Sequence, residues 1–307
     1  MMPRKDVFLA SVVILIWGVN FVAAKYGMEV IPPLLFAALR FTLVAFPAVL
    51  FVRPPGNGWK TVVACGLTMS VGQFALLYTS MTYGMPAGLA SLVLQVQSVF
   101  TVAIAAVLLH EIPTRWQLAG IALGVLGMAF VGWRFVAAAP LLPFVGTVAA
   151  AASWGVGNVL TRRRPPRSGF SLVVWSALVA PLPLLALSLL VEGWDRDRHA
   201  LAHVTVLSLL GLAFVAYLAS MAGYGLWNLL LSRHAASTVA PWSMLVPVIG
   251  TAAAFFYNGE KPTAASAVGA VVIIVGVLLA LGVIGPRRGP REDVPDRAHP
   301  PAEPAGL

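Results

Sequence analysis

Ten long, mostly apolar stretches joined by short links constrain this chain more than any other feature. A bilayer core about 30 Å thick takes roughly 20 helical residues to cross. The stretches 7–24, 33–52, 62–82, 87–109, 116–132, 141–161, 172–191, 204–231, 235–258 and 264–284 come close to that length. The links between them carry Pro and Gly, as in Ile31-Pro32-Pro33, Pro54-Pro55-Gly56 and Gly84-Met85-Pro86, which end helices and set tight turns. Soluble domains carry about a quarter charged residues. Here 10% are charged and 59% apolar, so an all-α integral membrane protein with ten transmembrane helices is expected. The first stretch follows Arg4, Lys5 and Asp6 as the core of a signal peptide would. It is long enough to span and lacks a small-residue cleavage motif, so it reads as a retained helix.

The joint His110-Glu111-Ile112-Pro113-Thr114 recurs as Gly259-Glu260-Lys261-Pro262-Thr263. A shift of 149 residues lays Glu111 on Glu260, Pro113 on Pro262, Thr114 on Thr263, Gly120 on Gly269 and Gly127 on Gly276. The start of the chain echoes too. Trp17-Gly18-Val19-Asn20 answers Trp154-Gly155-Val156-Gly157-Asn158, at a shift of 137. A fixed shift kept through two spans is an internal repeat. Five spans is an odd number, so the second copy enters the membrane from the opposite side. The expected architecture is two inverted five-helix repeats, residues 1–136 and 137–285, with a substrate site between them near the midplane. Residues 286–307, rich in Pro and Arg, read as a disordered cytoplasmic tail.

A net charge of +9 would raise nucleic acid as a partner of a soluble protein. Here the charge follows the membrane. With the N-terminus in the cytoplasm, fourteen of the 20 Lys and Arg residues fall in cytoplasmic segments, five fall outside, and Arg40 lies within a span. This bias places both termini in the cytoplasm and accounts for the basic character without nucleic acid. The single cysteine, Cys65, reads as a small packed hydrophobe.

Polar side chains inside spans are costly and usually face the bundle interior. Arg40 either anchors a substrate carboxylate, snorkels outward or holds neighbouring carbonyls; the last two are preferred because it is off-centre. Ser91, Gln95 and Ser98 share one face of the fourth span. Gln97 and Thr101 form a second stripe about 200° away, so only one stripe is expected to line a pathway. Trp17 with Asn20, and Trp154 with Asn158, share faces in matching positions of the two repeats. Ser220, Tyr224 and Asn228 share a face of the eighth span, with Trp227 read as a gate or an interfacial aromatic. Gln73 stands alone in the third. The candidate substrate-binding residues are thus Trp17, Asn20, Arg40, Gln73, Ser91, Gln95, Gln97, Trp154, Asn158, Tyr224 and Asn228. Pro241 and Pro247 predict a kink in the ninth span. Glu111 and Glu260 sit at span ends, where a structural role in the turn competes with proton coupling. Lys25 and Glu29 are spaced to pair at the outer end of the first span.

No Cys/His cluster, metalloprotease motif, nucleophile elbow or phosphate-binding loop is present. Neither an enzyme nor a cofactor or metal is therefore expected. The Trp-Gly-x-Asn starts, the Glu-x-x-Thr joints and the ten-span pattern resemble the drug/metabolite transporter superfamily, EamA branch. Longer stretches, among them Gly84 to Gln95, Gln117 to Ala122, Ser171 to Leu178, Gly223 to Trp227 and Leu245 to Val248, are similar to its O-acetylserine/cysteine exporters. The resemblance implies a secondary transporter in the bacterial cytoplasmic membrane that exports small amino-acid metabolites by alternating access. Its partners would be a small-molecule substrate, the lipid bilayer and, as a candidate coupling ion, protons. Export of an aromatic amino acid, a purine or a drug on the same fold is the alternative, as is a membrane scaffold without flux.

Overall fold

A computed structural model describes residues 2–136, 140–258 and 263–284. Glu260, Lys261 and the tail from 286 lie outside the described residues. Among the described residues all regular secondary structure is helical. We number its helices α1 (Arg4–Met28), α2 (Pro33–Ala45), α3 (Trp59–Thr82), α4 (Ala87–Leu94), α5 (Gln97–Leu109), α6 (Arg115–Val136), α7 (Leu141–Arg163), α8 (Gly169–Ala177), α9 (Pro181–Val191), α10 (Trp194–Ala202), α11 (Val206–Arg233), α12 (Ala236–Tyr257) and α13 (Ala264–Ala280). Among the described residues eight helices are long and apolar enough to cross a bilayer. The α8–α9 pair makes a ninth only if counted as one span bent by 45°, and α13 is an apolar helix of 17 residues. The pair is bent at Leu178–Ala180, just before Pro181, whose ring cannot continue an α-helical ladder.

Several spans are interrupted, and the interruptions recur in the second half of the chain. α3 widens into π-helical turns at Gly66–Gly72, and α11 does so at Phe214–Tyr224. Such turns appear in helices mostly where function needs a side chain re-aimed. The span formed by α4 and α5 breaks at Gln95-Val96, and α12 tightens to 3₁₀ geometry at Ala240–Leu245, around Pro241. The sequence predicted the second of these from its prolines. The first carries no Pro or Gly to announce it.

Glycines set the closest approaches between the halves. α6 packs on α13 so tightly that a Cβ on Gly276 would fall 2.7 Å from the Gly120 carbonyl oxygen, and one on Gly127 3.1 Å from that of Gly269. The two helices run antiparallel at this contact, and the paired glycines are those matched by the 149-residue shift. The glycines of the two Trp-Gly motifs behave alike. Gly18 of α1 lies against Ile249 and Gly250 of α12, and Gly155 of α7 against Phe100 and Thr101 of α5. Phe100 and Ile249, and Thr101 and Gly250, are again 149 residues apart. Each contact therefore has a partner with its two repeats exchanged. In lipid, where apolar side chains gain little by leaving their surroundings, close backbone packing of this kind holds helices together.

Overpacking such a seam costs about 1–3 kcal/mol, or more where backbone faces backbone. Gly120→Leu is expected to lower the thermal unfolding temperature of the detergent-solubilised protein by several degrees. Gly250→Ala, whose new methyl would meet only ordinary contacts at 3.6 Å and beyond, should leave it nearly unchanged.

Candidate functional site

A cavity of about 750 Å³ enters the bundle at the end where α1 finishes and α13 begins, past Lys25, Glu29, Thr263 and Ser266. Its size suits a small ligand. Its deep end is built on Arg40. The side chain is 2% exposed, so it does not snorkel; of the two preferred sequence readings only the scaffold remains, with hydroxyls in place of carbonyls. Snorkelling needs a clear path to the interface, and here α3 and α11 close around the guanidinium. Nε donates to Ser220 Oγ at 2.6 Å, Nη2 donates to Tyr224 Oη at 2.7 Å, and the guanidinium stands 4.4 Å from the Phe74 ring centroid. The Ser220 hydroxyl lies 2.6 Å from the Val215 carbonyl five residues earlier, the spacing of the π-helical turn that presents it. Such contacts offset the roughly 2.5–3.5 kcal/mol of inserting an arginine in a membrane. They do not neutralise it: among the described residues Arg40 makes no ion pair.

Aromatic rings floor the same region. Trp17 meets Trp154 edge-on at 6.0 Å and Tyr224 at 5.6 Å, and Trp154 meets Tyr224 at 4.9 Å. The two matched tryptophans thus touch one another and the tyrosine that bonds Arg40. Trp17 Nε1 donates to the Ala219 carbonyl at 3.0 Å, whereas Trp154 Nε1 is buried without a partner. Asn20 Oδ1, Gln73 Oε1 and Gln97 Oε1, all from residues lining the cavity, are also buried and unpartnered. Buried polar atoms are nearly always bonded, and a group left orphaned beside a cavity marks a missing partner.

The structure brings Trp17, Asn20, Arg40, Gln73, Ser91, Gln95, Gln97, Trp154 and Tyr224 to one cavity wall. Gln95 and Gln97 both line it, and Gln97 Nε2 donates to Gln95 Oε1 at 3.3 Å. The expectation that only one stripe of this span faces a pathway assumed an unbroken α-helix. At Gln95-Val96 the backbone switches to bonds three residues back, Gln95 N to Leu92 O and Val96 N to Val93 O. That tighter winding brings the two side chains about 40° nearer one another. Asn158 and Asn228 do not line the cavity. Asn158 Nδ2 donates to Thr101 Oγ1 at 3.0 Å, and its Oδ1 accepts from Trp227 Nε1 at 3.0 Å. Trp227 is fully buried, which corrects its interfacial reading. Asn228 turns toward Gly169 at the start of α8. Phe74 and Tyr78 were not singled out from the sequence. Their signal is the polar Gln73, directly beside Phe74 and about a turn from Tyr78.

The opposite end of the bundle is tied shut. Glu111 Oε1 accepts from Arg162 Nε at 2.7 Å, and Oε2 accepts from the Ala236 backbone N–H at 2.8 Å. One carboxylate therefore joins the ends of α5 and α7 to the start of α12, where the helix dipole favours negative charge. Asp6 at the start of α1 pairs with Arg233 Nη1 at 3.0 Å and His234 Nε2 at 2.6 Å. Between these ties and the cavity, Ser98 Oγ lies 2.8 Å from Ser243 Oγ and donates to the Ala240 carbonyl.

The two matched halves are also what comparison with known families finds. The EamA-like transporter family matches twice, over residues 4–133 and 141–282. The chain belongs to that family. Its EamA relatives include a probable amino-acid metabolite efflux pump of Salmonella typhimurium, 45% identical over 91% of this chain and 95% of that protein. A namesake in Escherichia coli is 41% identical over the same shares. A probable terminal-alkyne amino-acid exporter of Streptantibioticus cattleyicolor is 28% identical over 90% of this chain and 93% of the relative. A solved crystal structure shares the fold, with a TM-score of 0.73 at 20% identity over 92% of this chain and 98% of the other. This EamA protein is thus a multi-pass membrane transporter of small molecules and not an enzyme.

If the floor is held by Glu111, cutting its ties opens it. In a Cys65→Ser background, Thr101→Cys, which replaces a fully buried side chain, is expected to be inert to maleimide. Adding Glu111→Ala should raise its labelling rate at least several-fold.

Proposed function

We propose that the protein exports small amino-acid metabolites, of the O-acetylserine and cysteine type, across the cytoplasmic membrane of a bacterium. The observation that carries this reading is Arg40, a buried cation beside a cavity of metabolite size, with no carboxylate among the described residues to pair with it. A substrate carboxylate completes it. A planar guanidinium can take two carboxylate oxygens at once, which gives orientation as well as attraction. The names of the 45% and 41% identical relatives support the amino-acid class.

The transport cycle we propose is alternating access in ten spans arranged as two inverted repeats, with both termini cytoplasmic. Three features support it. The contacts of Gly120, Gly127, Gly269 and Gly276 are antiparallel and exchange partners under the 149-residue shift. The π-helical turns fall in the third span of each half. The matched asparagines are in opposite states: Asn158 is sealed against Thr101 and Trp227, while Asn20 faces the cavity with its oxygen unpaired. Tyr78, which also lines the cavity, is 149 residues before Trp227. In the alternate state Asn20 closes against α3 and α12 near Tyr78 as Asn158 now closes against α5 and α11. By the charge bias, the sealed end faces the cytoplasm and this conformation opens outward. Protons are the proposed coupling ion, and collapse of the proton gradient should then stop net accumulation without stopping exchange.

Counterflow in proteoliposomes loaded with O-acetylserine tests the reading. Saturable uptake of labelled cysteine that depends on the internal load is expected, with Arg40→Gln lowering the initial rate at least tenfold in protein that still inserts. Exchange of an aromatic amino acid but not cysteine would overturn the substrate assignment, and no exchange of any amino acid would overturn the function.

A further inference from the structure

Resting on the amino-acid reading of this cavity, we propose that its ammonium subsite is made of neutral amide oxygens, Gln73 Oε1 and Gln97 Oε1 with Asn20 Oδ1, and not of a carboxylate. Each of these oxygens is buried and unpartnered, while each residue lines the cavity. Gln73 and Gln97 are themselves 5% and 6% exposed, so bulk water does not satisfy them. An ammonium group offers three donors and no acceptor, and three orphaned acceptors are what it pairs with. Donors gather on the other side of the account: the Arg40 guanidinium and the unpartnered Trp154 Nε1 suit the carboxylate.

Placement fits a substrate whose two charged groups sit on one carbon. Gln73 directly precedes Phe74, whose ring lies under the guanidinium, and Asn20 is one turn from Trp17, which packs on the tyrosine bonded to Arg40. Gln97 is held by its own amide nitrogen on Gln95 Oε1, which leaves its oxygen as the free end. That the acceptors are neutral has a consequence for selectivity. Arg40 is then the one charge in the deep wall among the described residues, so the empty site favours anions. A zwitterion adds its ammonium contacts to that attraction. A cation without a carboxylate meets Arg40 repulsion with no compensating charge in the deep wall, Glu29 lying at the mouth.

The test is competition against labelled L-cysteine, kept reduced, on the full-length protein in proteoliposomes. The competitors are N-acetyl-L-cysteine, which lacks the ammonium, and L-cysteine methyl ester, which lacks the carboxylate. In the unaltered protein both should compete at least about tenfold more weakly than cysteine, a factor worth about 1.4 kcal/mol. In Gln73→Ala and Gln97→Ala the ratio for N-acetyl-L-cysteine should fall toward one, while the ratio for the methyl ester is kept. Gln73→Glu, nearly isosteric, should strengthen methyl-ester competition by roughly tenfold through a charge-assisted bond. N-acetyl-L-cysteine competing as well as cysteine, or ratios unmoved by all three substitutions, overturns the ammonium assignment alone. If neither cysteine nor any other proteinogenic amino acid binds the unaltered protein, the amino-acid reading falls instead.

Discussion

A single positive charge held inside an apolar bundle organises this molecule. Arg40 is buried, bonded only to hydroxyls and a ring face, and left without an ion-pair partner among the described residues. Holding it there requires the π-helical turn of α11, which delivers Ser220 and Tyr224 on adjacent turns of the same wall. It also requires α3 to present Phe74 beneath it. An ion left this way is costly in hydrocarbon and favourable only next to a polar cavity. The cavity, the aromatic cluster and several unpartnered polar atoms are gathered around it.

The second organising constraint is backbone proximity between repeat-matched helices. Glycine replaces side chains where α6 meets α13, where α1 meets α12 and where α5 meets α7. The carboxylate of Glu111 ties one end of the bundle, capping α12 while gripping Arg162. Two independent ties, ionic at the rim and amide-based at Asn158, hold this end shut, whereas the cavity opens at the other.

Much of this was legible in the sequence because the membrane makes patterns strict. Backbone groups in lipid must bond within their own helix, so long apolar runs and polar outliers are easy to read. The repeat followed from the joints around Glu111 and Glu260, and the polar outliers found the wall: nine of the eleven candidate residues line the cavity. What the sequence could not convey was local helix winding. The tight turn at Gln95-Val96, with no Pro or Gly, overturned the two-stripe argument. The fate of Arg40 and of Asn158 also depended on long-range partners, Ser220 and Tyr224 for one, Thr101 and Trp227 for the other. Spacing did not show which asparagine faces a cavity and which is closed in a seal, since each shares a face with the tryptophan of its own motif.

The most direct measurement is a structure of the protein with a bound amino-acid substrate, beginning with cysteine. The expected result is the substrate in the cavity with its carboxylate against the Arg40 guanidinium, within hydrogen-bonding reach, and the Ser220 and Tyr224 bonds retained. A substrate bound with its carboxylate turned away from Arg40, or bound outside this cavity, would contradict the account.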